Sequence, residues 1–124
     1  MKLTQNFSRS EFDCKDGTKV PEGFIDNLQE LADNLQVLRD YVETPVSITG
    51  SGYRTPSHNK KVGGAKRSQH LTASAADINA EGYTPKQLHM IIELLIDEGK
   101  MKQGGLGLYN TFVHYDIRGT KARW

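Results

Sequence analysis

The sequence predicts an α+β domain, a small antiparallel sheet with helices on one face. Two observations carry this. Apolar residues recur at helical spacing over 24–42 and again over 88–95, and each stretch follows a proline that suits a helix start. Short runs of strand character occupy 45–50, 75–79, 103–109 and 112–117. Long helices combined with short antiparallel strands place the helices against one sheet face and leave the other free to hold a site. A length of 124 residues fits one domain spanning 1–124 with one core.

In chain order, Ser8-Arg-Ser-Glu11 matches a capping box and opens a helical turn, with Phe7 and Phe12 as core anchors. Cys14 to Thr18 is turn-like. Pro21 suits the first helical position. Phe24, Ile25, Leu28, Leu31, Ala32, Leu35, Leu38 and Val42 then form the apolar stripe of a helix of about five or six turns. Its polar face, with Asn27, Glu30, Asn34 and Arg39, reads as solvated. Pro45 to Gly50 is a strand leading into Ser51-Gly-Tyr-Arg-Thr-Pro56. The glycines there do not form a phosphate loop, because the G-x-x-x-x-G-K-[ST] pattern is absent. Pro56 to Val62 is a short helix ended by Gly63-Gly64. Thr84-Pro-Lys-Gln87 is a second capping box; Leu88, Ile91, Ile92 and Leu95 line the helix it opens, and Gly99 stops it. Gln103 to Tyr109 is a glycine-rich strand joined by Asn110-Thr111 to the strand 112–117 as a hairpin. Arg118 to Trp124 reads as a basic, solvated tail.

Chemistry concentrates in two stretches, Ser68 to Asp77 and Phe112 to Ile117. The first holds His70 and Asp77, seven positions apart; the second holds His114. Two imidazoles and one carboxylate, with a fourth position open, form the ligand set of a catalytic rather than a structural zinc site. The alternative is two ordinary histidines and a surface aspartate. Seven residues of helix rise about 10.5 Å, whereas zinc donors lie within about 2.2 Å of the ion, so His70 and Asp77 do not share one helix. Thr72, Ala73 and Ser74 are small enough for a hairpin-like reversal that sets the two side by side, at the roughly 5 Å spacing of cross-strand neighbours. Asp77 then faces the site from a strand over 75–79. On the later strand, Val113, Tyr115 and Ile117 form the core face, and Phe112, His114 and Asp116 the other. Asp116 lies about 6.7 Å from His114 along that face. A general base, a partner orienting an imidazole, or a salt-bridge residue all fit it.

The remaining candidates read blandly. His58 is a capping or surface residue, His89 is partly buried, and Tyr109 and Tyr115 belong to the core. Cys14, the single cysteine, is a small buried hydrophobe and excludes an internal disulfide. A net charge of +1 argues against a dedicated nucleic-acid binder. No apolar h-region follows the first six residues, so no signal peptide is expected, and no run of 18 apolar residues could span a membrane.

Taken together, Ser68, His70, Asp77, His114 and the Ser51-Gly-Tyr-Arg-Thr-Pro56 segment resemble the family of zinc D-Ala-D-Ala carboxypeptidases and L-alanyl-D-glutamate endopeptidases, whose fold is shared by the hedgehog signalling domain. The family pattern is S-x-H, small residues, D, and a distant H on a late strand. The likeness runs from Phe7 to Trp124 and is closest to the short phage- and prophage-associated branch. It implies Zn²⁺ held by His70, Asp77 and His114, with a water whose pKa falls towards about 7. It implies that Arg54 pairs with a substrate carboxylate or a developing oxyanion, and that Ser68 bonds substrate or supports the site. The implied substrate is a peptidoglycan stem peptide, cut at a bond involving a D-residue by a carboxypeptidase or endopeptidase. The enzyme would be a monomer made in the cytoplasm and brought to the cell wall by another route, such as phage lysis. One departure stands out. The acid that many members carry three residues before the last histidine is Thr111 here, which is no base near neutral pH; Asp116 is the expected replacement. Ala73 stands where the family usually has Gly, a change that should affect only the turn. The missing acid also allows a second expectation, a zinc-containing cell-wall binding module without hydrolysis.

Overall fold

A computed structural model describes residues 1–124. Three helices and five strands follow the order α1 (Ile25–Val42), β1 (Val46–Ile48), α2 (Pro56–Lys61), β2 (Ala75–Ala80), α3 (Pro85–Asp97), β3 (Gly105–Leu108), β4 (Val113–Asp116) and β5 (Ala122–Arg123). Short 3₁₀ turns occupy Arg9–Phe12, Glu22–Phe24 and Gln69–Thr72. Pro21 therefore opens a 3₁₀ turn, and the α-helix begins four residues later than its position suggested. α1 buries Leu28, Leu31, Leu35, Leu38 and Val42 along one stripe and ends where Glu43 turns left-handed. Both halves of the Thr84–Gln87 capping box form at the start of α3.

The sheet order is β1-β2-β4-β3-β5. The first four strands pair antiparallel, but β5 runs parallel to β3, so the sheet is mixed. Residues 118–124 are thus not a solvated tail. The Trp124 N–H donates to the Leu106 carbonyl, and the Leu108 N–H donates to the Trp124 carbonyl. Arg123 forms an ion pair with Glu93 on α3 at 2.7 Å and donates to Gln103. A two-residue strand carries no hydropathy period, and its partners lie 15 to 30 positions away in sequence, so nothing local announces it.

Register divides the sheet's two faces. Ala76, Tyr115 and Leu106 lie in one cross-strand row; Asp77, His114 and Gly107 lie in the next. Successive residues on a strand point to opposite faces, so the first row meets the helices and the second faces away from them. The helix side is a continuous core in which Leu35, Ile78, Ile92, Leu106 and Tyr115 are fully buried. The opposite face was expected to be free to hold a site, and it carries Asp77 and His114. Residues 50–54 and the Gln69–Thr72 turn pack along it beside the site, and every residue of β4 is buried. The polar face of α1 also has work beyond solvation: Asn34 accepts from the Lys102 N–H at 2.7 Å, and Asn27 donates to the Thr72 carbonyl.

Candidate metal centre

Asp77 sits in the middle of β2, and its cross-strand neighbour is His114, not His70. His70 lies in the 3₁₀ turn, where Ser68 Oγ accepts from the His70 N–H as the N-cap. The chain leaves this turn through Ala73 at φ 57°, a left-handed conformation that costs an L-residue roughly 1–2 kcal/mol. The link between His70 and Asp77 is therefore a capped turn feeding a strand, rather than a hairpin. The His70 carbonyl accepts from the Arg54 N–H, which ties the turn to residues 50–54.

The three side chains converge. His70 Nε2 is 3.4 Å from Asp77 Oδ1, and His114 Nδ1 is 3.3 Å from the same oxygen. The two rings meet edge to face at 5.1 Å. Donors about 2.0–2.1 Å from a tetrahedral zinc stand about 3.3–3.4 Å apart, which is the spacing found here.

Hydrogen bonding on the far side of each ring decides which nitrogen faces inward. His70 Nδ1 donates to the Gly52 carbonyl at 2.7 Å, leaving Nε2 to the centre. His114 Nε2 donates to Asp116 Oδ2 at 2.6 Å, leaving Nδ1 to the centre. Neutral imidazoles held in these tautomers aim two lone pairs at a carboxylate oxygen, an arrangement that requires a proton or a cation between them. His70 Nε2 is the buried side-chain polar atom without a hydrogen-bond partner. The donor set and this orphan fit zinc.

The carboxylates are held ionised. Burial by itself would raise Asp77, but in the metal-free centre a proton shared with the facing nitrogens of His114 and His70, and the charge it brings, outweigh it and hold the group well below the usual range. Its Oδ2 accepts from the Ser51 N–H and lies 3.7 Å from Arg54 Nη2. For Asp116, burial is likewise outweighed by His114, Arg118 and the Gly105 N–H, and its pKa falls below the usual range. Burial alone would lower His114; its bond to Asp116 and the negative charge of the facing Asp77 raise it instead.

Asp116 does not open onto the cleft. It is fully buried behind His114, where Oδ1 accepts from the Gly105 N–H, the Arg118 N–H and Arg118 Nε, and Oδ2 from His114 and Arg118 Nη2. The expected base is thus separated from the cleft by the ring it holds. Thr111 is exposed in the β3–β4 turn.

A cleft of about 510 Å³ fronts the three candidate ligands, lined also by Arg54, Ser68, Arg67, Arg118, Tyr109 and Trp124. Asp77 is its one carboxylate. Arg54 is held by Ser51 Oγ at Nε and by Asn59 Oδ1 at Nη1. Tyr115 belongs to the core as expected, but Tyr109 is exposed beside the cleft. Arg118 and Trp124 escape a reading of the sequence; the one available signal was their place just beyond a ligand-bearing strand.

Cys14, Asp16 and His58 also bring donor atoms within 4.8 Å of one another. There Asp16 accepts from the Thr18 N–H and from Thr55 Oγ1, and Thr55 caps α2. Cys14 is buried as expected. The trio ties a turn to a helix start.

Gly50 is where a side chain would damage the centre from outside it. A Cβ there would stand 2.6 Å from Asp77 Cβ and 3.1 Å from Asp77 Oδ2. Gly50→Ala is expected to cost about 1–3 kcal/mol in urea unfolding and to weaken metal binding in a chelator competition.

A family model described as Peptidase M15 matches residues 5–116. No curated protein matches the chain.

Proposed function

The chain belongs to the peptidase M15 family, and from that premise we propose that it is a zinc-dependent peptidase acting on peptidoglycan stem peptides at a bond involving a D-residue. The observation that carries this is the pair of imidazoles whose outer nitrogens are tied to Gly52 and Asp116, so that both inner nitrogens meet at Asp77. His70 Nε2, Asp77 Oδ1 and His114 Nδ1 would hold the ion. Zinc bound there supplies a Lewis acid for the scissile carbonyl and lowers the pKa of a water.

The chain's own residues do the rest. Arg54, braced by Ser51 at Nε and by Asn59 at Nη1, presents its remaining N–H groups to a substrate carboxylate or to the oxygen that gains charge. Ser68 acts through the backbone of His70, which it caps. Asp116 orients His114 and keeps its Nδ1 lone pair available. Its burial and its engagement by several donors favour this role over that of base.

Zinc affinity is expected to fall on acidification. The proton that competes for His114 is held more tightly than on a free imidazole, because the raised pKa lies above the ordinary value of about 6.5. Competition therefore begins at higher pH and deepens about tenfold per pH unit for one displaced proton. A chelator titration between pH 5 and 8 measures this; affinity independent of pH would contradict it.

A second reading is favoured by one feature, the absence from the cleft of any carboxylate other than Asp77. It is a binding module that keeps the metal and lacks hydrolysis. Incubating the zinc-loaded protein with muropeptides and analysing products by mass spectrometry separates the two. New peptide termini support the peptidase; intact stem peptides with retained binding to cell walls support the module.

A further inference from the structure

Trp124 is the single tryptophan and is about half exposed, yet its ring is fixed on several sides. Its indole N–H donates to Tyr109 Oη at 2.8 Å. The ring lies 4.9 Å from that of the ligand His114. The Arg118 guanidinium sits over it, 5.5 Å from the centroid. Gly107, in the same cross-strand row as Asp77 and His114, leaves room beneath it; a Cβ there would collide with Nε1. Tyr109 continues the wall by stacking on Phe112 at 4.5 Å.

An aromatic ring that is held in place without being buried has had its ordering cost met before a ligand arrives, and keeps exposed apolar surface to offer. Arg118 adds a second kind of contact. Its Nε and Nη2 are spent on Asp116, which leaves Nη1 outside the fork, and the side chain lines the cleft. Arg54 stands beside Asp77 and Trp124 beside His114, so the two flank the ligands.

We infer that Trp124 and Arg118 form a substrate subsite on the His114 side of the metal, and that it takes a carboxylate-bearing aliphatic residue of the peptide. The methylenes lie against the exposed part of the indole and the carboxylate meets Nη1. The inference rests on the peptidase reading and extends it, because it makes β5 part of the site.

The test uses the zinc-loaded protein and a soluble stem tetrapeptide, once with free side-chain carboxylates and once with these as carboxamides. Emission from the lone tryptophan should change saturably with the free-acid peptide, at the dissociation constant given by calorimetry, and the carboxamide should bind at least several-fold more weakly. Trp124→Ala should raise KM about tenfold with kcat within about threefold, while Trp124→Phe, which keeps an aromatic surface but loses the bond to Tyr109, should raise KM less. Gly107→Ala, which displaces the ring without removing it, should raise KM in the same way. If peptide binds or is cleaved while emission and KM stay unchanged, the subsite is wrong and the peptidase reading stands. If calorimetry and product analysis detect no interaction with the peptide, the peptidase reading falls and takes the subsite with it.

Discussion

His70→Ala is expected to abolish zinc binding and any hydrolysis that depends on it. The substitution leaves two donors, Asp77 and His114, where a catalytic zinc site uses three. It also removes the inward nitrogen that is buried without a hydrogen-bond partner. The readout is thermal as well as enzymatic. Zinc at a hundred times its dissociation constant stabilises a folded protein by about 2.7 kcal/mol, a rise in Tm of roughly 10 °C for a chain of this size. Wild type should show this shift and the variant should not, while far-ultraviolet circular dichroism of the metal-free forms stays alike. A variant that still binds zinc with unchanged affinity would exclude His70 as a ligand.

Asp116→Asn carries the second large effect. The carboxylate accepts from a ring nitrogen, a guanidinium and two backbone amides at once. An asparagine has one acceptor oxygen, so its NH₂ must face a donor that the aspartate had satisfied. With that NH₂ turned towards Nε2, the imidazole is driven to the tautomer that puts a proton on Nδ1, the atom aimed at the metal. Loss of such a partner typically costs 10–100-fold in metal affinity or activity. Zinc affinity should fall together with turnover. A general base would give a different signature, turnover lost with affinity kept. Acid sensitivity provides a further check. The folded-state pKa of Asp116 is depressed, so its stabilisation is complete above the unfolded value of about 3.9 and is lost progressively as pH falls from there through the lower folded-state value. The asparagine variant should lack that part of the acid transition.

How much of this could be read beforehand depends on the range of each interaction. The helix over 25–42, the capping box at Thr84 and the hairpin of β3 and β4 follow from periodicity and turn chemistry within a few residues. The pairing of Asp77 with His114 does not, because β2 and β4 are neighbours in space but 37 positions apart at that pair. The expected hairpin between His70 and Asp77 was the nearest local way to bring two ligands together; the sheet used a distant strand and a capped turn instead. Asp116 illustrates the same limit. Strand alternation put it on the face of His114, and only its burial and the approach of Arg118 showed that its oxygens were already taken.

The sequence by itself determined the donor types at residues 70, 77 and 114 and the strands that carry Asp77 and His114, because these rest on covalent chemistry and short-range periodicity. The tertiary structure decided which nitrogen of each imidazole turns inward, what Asp116 touches, and that Trp124 stands against His114. Each of these depends on a hydrogen bond or ring contact whose direction is set by how the backbone is folded, and no local pattern encodes that geometry.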